Sequence, residues 1–362
     1  MVMLGIRKIL ITFLFFIILW QNVGFSQKKV NIVLSEKVII TKDNRHNSFP
    51  SVVKLKNGEI IISYRKSNGH LSPIASAVYK SSLDNGKNYN QEIIVDNGDD
   101  FIKTKYGIRN LIINELSDGN LLATYWVNNG QNGSAYYRMS TDKGFTWGDR
   151  REIKDDETCS SLVGIEGKII EINNDYILPV FIKMDINSKN MRAGVMISSD
   201  LLSWTFYEVS RKRSNNNEST ILLDEKQNEI IYFYRNVTEN ALYRSISKDV
   251  GRTWSEPENV SFSGYVQSRP DVAFYPDKDE MYLLYREGKY QTGAIAISHD
   301  KGNTWERVTE IQKDSTRFTY GSMARINRNK SLLIYSSEKN ANGESSSIKS
   351  RLLRINKKSD GE

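Results

Sequence analysis

Glu218 opens an otherwise apolar stretch, "NESTILL", and seventeen residues later Arg235 closes the aromatic run "IIYFYRN". Tyr320 stands in "FTYGSM", His70 in "SNGH". Arg65 follows "IIISY" and Arg286 follows "YLLY" at matching points of two similar segments, while Arg109 in "GIRNL" and Arg269 in "SRPDV" stand where such segments begin. A phenol with an ordinary pKa near 10 is a poor nucleophile until a carboxylate draws its proton and cations stabilise the phenolate. Tyrosine, glutamate and several arginines are the parts that chemistry needs. The planar guanidinium fork meets both oxygens of a carboxylate at once, so an arginine cluster suits an acidic ligand. An imidazole such as His70 serves as acid or base near neutral pH with little tuning. Each residue also has a plainer use. Tyr320 is one of 19 tyrosines, and a tyrosine at a strand start ordinarily packs. Arg235 can snorkel or pair with a nearby acid. The chemistry exists only if the fold collects distant parts of the chain.

Repetition supplies such a fold. "STDKGFTW" (140–147), "SKDVGRTW" (247–254) and "SHDKGNTW" (298–305) share one pattern, and "SLDNGKNY" (82–89) and "SSDLLSW" (198–204) are degenerate copies. Their serines are spaced by 58, 58, 49 and 51 residues. Before each box come two or three segments of alternating apolar and polar residues, rich in β-branched and aromatic types and separated by Asn, Asp and Gly turns, which predict short antiparallel strands. A sixth copy, "YGSMARINRNKSLLIYSSE" and "SIKSRLLRI", lacks a box. No stretch after residue 26 reads as helix. Six units of about 55 residues predict an all-β six-bladed β-propeller of four-stranded antiparallel blades. A strand within "KKVNIVLSEKVII" is expected to become the outer strand of the last blade. In each box the Asp accepts from turn amides, Gly supplies a positive φ and Trp fills an apolar slot, so the boxes are structural pegs between third and fourth strands.

Arg7 and Lys8 precede the apolar run "ILITFLFFIILW" and then the small and polar "QNVGFSQ". This layout predicts a secretory signal over residues 1–26 cleaved after Ser26, one propeller domain over 27–362, and a secreted or periplasmic location. The run is shorter than the ~20 residues of a bilayer crossing, so no membrane span is expected after cleavage. The single cysteine, Cys159, can form no internal bridge and reads as a small buried hydrophobe. The net charge of +7 is scattered, with no arm suited to nucleic acid. The three histidines lack metal-ligand spacing, His46 and His299 read as surface residues, and no phosphate loop is present, so neither metal nor cofactor is expected.

The repeated boxes in a six-unit β chain resemble the sialidase (neuraminidase) superfamily over essentially the whole mature chain. That resemblance implies a Tyr nucleophile paired with Glu, an Arg triad on the substrate carboxylate, and an Asp acid/base. It places Tyr320 as nucleophile, Glu218 as its partner, Arg235 in the triad and, more loosely, Arg286. The first blade departs from the family: Ser48 in "SFP" stands where the first clamp Arg belongs, and His70 stands where the catalytic Asp would fall. Arg65, Arg109 and Arg269 are the candidates to restore positive charge, and His70 the candidate acid/base. The implied activity is exo-hydrolysis of a terminal acidic sugar, sialic acid or a related keto or uronic sugar. Two other readings fit the same residues: a lyase in which His70 and Tyr320 eliminate across a uronic sugar, and a carbohydrate-binding propeller without catalysis.

Overall fold

The computed structural model describes residues 30–357 apart from 159, 185–189, 211–214, 313–315 and 339–344. The expected signal segment and Cys159 lie outside the described residues. The chain is all-β, with one short helix, Asp99–Ile102, among the described residues. That helix was not anticipated: four residues are too few to show a 3.6-residue period, and its buried contribution is one side chain, Phe101.

Strands β1 (Val30–Leu34) and β2 (Val38–Ile39) precede six antiparallel units. The first unit is β3 to β6 (His46–Lys54, Ile60–Ser67, Ala75–Ser82, Ile93–Asp96). The second is β7 to β11 (Gly107–Ile108, Ile112–Glu115, Leu121–Asn128, Gly133–Ser140, Arg151–Ile153), and the third β12 to β16 (Leu162–Ile165, Ile170–Ile172, Asp175–Lys183, Arg192–Ser198, Thr205–Glu208). The fourth is β17 to β20 (Asn216–Asp224, Glu229–Asn236, Ala241–Ser247, Glu258–Asn259) and the fifth β21 to β24 (Tyr265–Tyr275, Glu280–Glu287, Thr292–Ser298, Glu306–Glu310). The sixth comprises β25 to β27 (Arg317–Asn327, Lys330–Glu338, Ser346–Lys357), with β1 and β2 paired antiparallel along β27.

Hydrogen bonding divides these strands into four sheets rather than six separate ones. The fourth and fifth units are four-stranded sheets on their own. The sixth and first units fuse into nine strands through one parallel bridge, Ser346 to His46, and the second and third fuse into ten through Gly133 to Leu162. Among the described residues no sheet closes on itself.

The core lies between units. One cluster joins Ile61 and Tyr79 of the first unit to Ile113 and Tyr125 of the second. Equivalent clusters link the second unit to the third, the third to the fourth, the fourth to the fifth and the fifth to the sixth. A last one packs Ile334 and Ile348 of the sixth against Ile60 and Ile62 of the first. Burying such a side chain contributes about 1.5–3 kcal/mol, so every unit depends on both neighbours.

Each box lies before its unit's last strand, between third and fourth strands as expected in the first, fourth and fifth units. In the second and third it lies between fourth and fifth, because the first strand is split in two (β7 and β8 both on β9, β12 and β13 both on β14). The box hydrogen bonds repeat. In the fourth unit the Ser247 hydroxyl donates to Asp249 and accepts the Gly251 amide, and Asp249 accepts the amide and hydroxyl of Thr253. Backbone and side-chain donors hold the box carboxylates of Asp84 and Asp142 down at about 2. Each box glycine faces the preceding unit. A Cβ on Gly302 would come within 2.3 Å of Phe233, one on Gly144 within 2.5 Å of the Tyr79 hydroxyl, and one on Gly86 within 2.8 Å of Leu332. The pegs therefore act between units rather than only within one.

Candidate active site

In four of the six units the first strand breaks register: between Ser48 and Ser51 in β3, Asn217 and Ser219 in β17, Val266 and Asp271 in β21, and Phe318 and Gly321 in β25, the last three at the expected site residues Glu218, Arg269 and Tyr320. Such irregularities re-aim side chains off the ladder. Phe49, Glu218, Arg269 and Tyr320 lie within them and meet.

The Tyr320 hydroxyl donates to Glu218 Oε1 at 2.9 Å, across 102 positions of chain. The other carboxylate oxygen of Glu218 lies 2.9 Å from Nη1 of Arg235, whose Nε donates to Asn217 Oδ1. The Arg269 guanidinium sits 5.5 Å from the centroid of the Tyr320 ring, close enough for a cation–π contact. The Phe49 ring packs against Tyr320 with centroids 4.5 Å apart, at a residue whose backbone φ of +54° is one that bulky residues rarely adopt. Arg286 donates to the Thr319 carbonyl, next to Tyr320 in sequence.

These contacts set the electrostatics. Burial, and then the Glu218 charge, push the Tyr320 phenol well above its ordinary value, while Arg235 and Arg286 pull the other way. Tyr320 therefore rests as a neutral phenol hydrogen-bonded to Glu218. Burial alone would lower Arg235, but the Glu218 carboxylate holds it above its ordinary value. Arg286 is lowered by burial.

A second acid stands behind the pair. Glu166 is 5% exposed, accepts from the Trp126 indole and lies 3.5 Å from Arg269. Burial, followed by the neighbouring Glu218 charge, raises it to about 7. Glu166 and Glu218 form one wall of a cavity of about 460 Å³ whose apolar lining includes Trp126, Leu162, Phe181 and Met191. Glu166, the residue after β12, was not expected at the site, although in "VGIEGKII" it is an acid within an apolar stretch, as Glu218 is in "NESTILL".

The other expected site residues are placed differently. Arg65 is fully buried, and its guanidinium donates to the carbonyls of Ile108, Gly69, His70 and Ser72. Burial, with Arg109 nearby, lowers it to about 9. Its geometry secures the His70 loop. Arg109 shares that task, donating to the His70 carbonyl and to Asn128. Arg269 is likewise engaged by the carbonyls of Pro50 and Gly321. The Phe49 ring touches His70 as well as Tyr320, its centroid 5.6 Å from that of the imidazole. Its Nδ1 is 3.3 Å from Glu338, which also meets His46 Nε2 at 3.1 Å. His46, expected at the surface, is fully buried, because the fold seats it under the His70 loop; His299 is exposed as expected. Burial raises Glu338, but the hydrogen bonds with His46 and His70 outweigh it and take the carboxyl down to about 2.

The arrangement sets a phenol, a carboxylate and guanidinium groups in one cluster, of which Glu218 is the member of the hydrogen-bonded pair that lines the cavity. The chain is thus an all-β array of boxed units around a tyrosine–glutamate–arginine centre. A family model for the BNR repeat-like domain matches residues 76–334, and the chain belongs to that family. No curated protein matches it in sequence. Among solved structures it is similar to a Dyadobacter fermentans protein of unknown function, with TM-score 0.76 and 18% identity over 90% of this chain and 100% of that one. It is also similar to Trypanosoma rangeli sialidase in complex with sialic acid, with TM-score 0.67 and 14% identity over 89% of this chain but 58% of the trypanosomal one. A NanB sialidase variant from Streptococcus pneumoniae aligns with TM-score 0.70 and 13% identity over 92% of this chain and 71% of the other. At these identities the likeness concerns the fold.

Proposed function

We propose that this protein is a secreted, exo-acting glycoside hydrolase of sialidase type, built as a six-bladed propeller, that removes a terminal acidic sugar from glycans. The observation that carries the reading is the Tyr320–Glu218 hydrogen bond of 2.9 Å, backed by Arg235 at 2.9 Å from the same carboxylate. The cyclic series of inter-unit cores, sixth back to first, supports the propeller. The leader-like first 26 residues support export.

In the first step the Tyr320 oxygen attacks the anomeric carbon, its proton passes to Glu218, the glycosidic C–O bond breaks, and protonated His70 gives its proton to the leaving oxygen. In the second, water attacks the anomeric carbon, returns a proton to His70 and releases the phenolate, which recovers its proton from Glu218. Two displacements retain anomeric configuration. Arg235, Arg269 and Arg286 stabilise the phenolate and draw an anionic sugar to the site. Ser48 in place of a clamp arginine favours a substrate whose carboxylate is met from the side of the fourth and fifth units.

The test is a product assay with aryl glycosides of sialic acid and of uronic acids. A saturated reducing sugar of retained configuration is expected, and Tyr320→Phe should lower turnover by at least about 10³-fold while leaving glycan affinity largely intact. An unsaturated product absorbing in the near ultraviolet would replace the hydrolase with a lyase. Binding without turnover of any acidic sugar would leave a carbohydrate-binding protein.

A further inference from the structure

We infer that His46, His70 and Glu338 form a binding site for a divalent transition-metal ion, with zinc the ion their donors suit best. The sequence conceals this site, because 24 residues separate the histidines and the glutamate follows 268 residues after the second. The meeting of β3, the loop after β4 and the end of β26 brings them together.

Three observations carry the inference. First, His46 Nε2, His70 Nδ1 and a Glu338 oxygen all lie within 4.8 Å of one another. The two nitrogens are 3.1 and 3.3 Å from the same Glu338 oxygen. Ligand atoms about 2.0–2.1 Å from a tetrahedral zinc stand roughly 3.3 Å apart, so small side-chain adjustments suffice to seat an ion. Second, two imidazoles and one carboxylate are a borderline donor set that zinc and its transition-metal neighbours prefer and that calcium and magnesium do not. Third, the site is held from behind and open in front. His46 is fully buried and Glu338 3% exposed, while the His70 side chain is 40% exposed and its backbone is pinned by Arg65 and Arg109. Three protein ligands with one accessible side leave a coordination place for water or a ligand.

Two features limit the affinity. The guanidinium groups on the His70 carbonyl oppose a further positive charge, and His46 Nδ1 has no partner among the described residues to stiffen the ring as outer hydrogen bonds usually do. Binding of order micromolar is therefore expected, rather than the tight hold of a structural zinc site.

The experiment is calorimetric titration of zinc chloride into untagged, chelator-treated protein near pH 7.5, alongside His70→Ala, Glu338→Gln, His46→Gln and His299→Ala. Wild type and His299→Ala should take up one equivalent per chain, and His70→Ala and Glu338→Gln should each bind at least about tenfold more weakly. Circular dichroism verifies that each variant is folded; if His46→Gln is not, the other two decide. Absence of saturable one-equivalent uptake by wild type, or uptake unchanged in both His70→Ala and Glu338→Gln, overturns the site and leaves a hydrogen-bonded trio. A zinc ion on His70 would withdraw it from the acid role proposed above, so ion binding and turnover are expected to exclude one another; the calorimetric readout needs no glycan, so its failure is distinguishable from failure of the proposed hydrolase.

Discussion

Tyr320 and Glu218 each sit in a register break of a first strand, and the breaks turn both side chains toward the same point. The sequence supplied this pair, with Arg235, through short motifs around single strands. It did not supply Glu166, Phe49 or Glu338, whose roles arise from neighbours contributed by other units. Nor did it foresee that Arg65 and Arg109 would hold a loop, because an arginine behind an aromatic strand reads the same whether it faces a carbonyl or a ligand. Two predictions belong to this scale. His70→Ala should slow cleavage of glycosides with alkyl leaving groups by about 10²–10⁴-fold and affect nitrophenyl glycosides far less, since only the former need a proton; steady-state kinetics on matched substrates measure the difference. The second concerns pH. Glu166 has a raised folded value, about 7 against an ordinary 4.5, so the folded state holds its proton longer than the unfolded state. Its stabilising contribution is complete below about pH 4.5 and is lost as pH rises through about 7. Glu166→Gln should therefore lack that part of the decline between pH 5 and 7 in urea midpoints; equal slopes for the two proteins would contradict the assignment.

The strands and boxes were legible because alternation, turn residues and repetition are local properties. The parallel bridges that fuse units in pairs were not, since each is a single contact set by how neighbours lean together. The box glycines show how a local motif acquires a non-local reason. In the third unit Leu201 occupies the tight turn at φ +63° with its amide on the Ser198 hydroxyl, so a side chain there is tolerated. Gly302 has a similar φ, +79°, but lies against Phe233 of the preceding unit. Gly302→Ala should therefore cost about 2 kcal/mol or more, through both backbone strain and displacement of a buried ring. Chemical denaturation measures it, and a loss within about 0.5 kcal/mol would show that the peg does not bear on the next unit.

At the scale of the whole molecule, six inter-unit cores in cyclic order make the site a product of the complete chain. Residues from the first, third, fourth, fifth and sixth units surround Tyr320, so no fragment holds it. β1 completes the sixth unit by pairing five residues with the far end of β27, and Ile32 and Leu34 pack on the core between the fifth and sixth units. Removing residues up to Leu34 should lower the thermal midpoint by several degrees. It should also promote aggregation through the bared β27 edge, seen by calorimetry and light scattering. An unchanged midpoint would mean that the strand is dispensable. The central claim remains chemical: a tyrosine, activated by Glu218, bonds to the sugar. Its most direct measurement is peptide mass spectrometry after acid quenching of turnover with a fluorinated analogue of the acidic sugar proposed as substrate. The account predicts one glycosyl adduct per chain, on Tyr320 and absent from Tyr320→Phe; turnover with no adduct, or with the adduct on another residue, would contradict it.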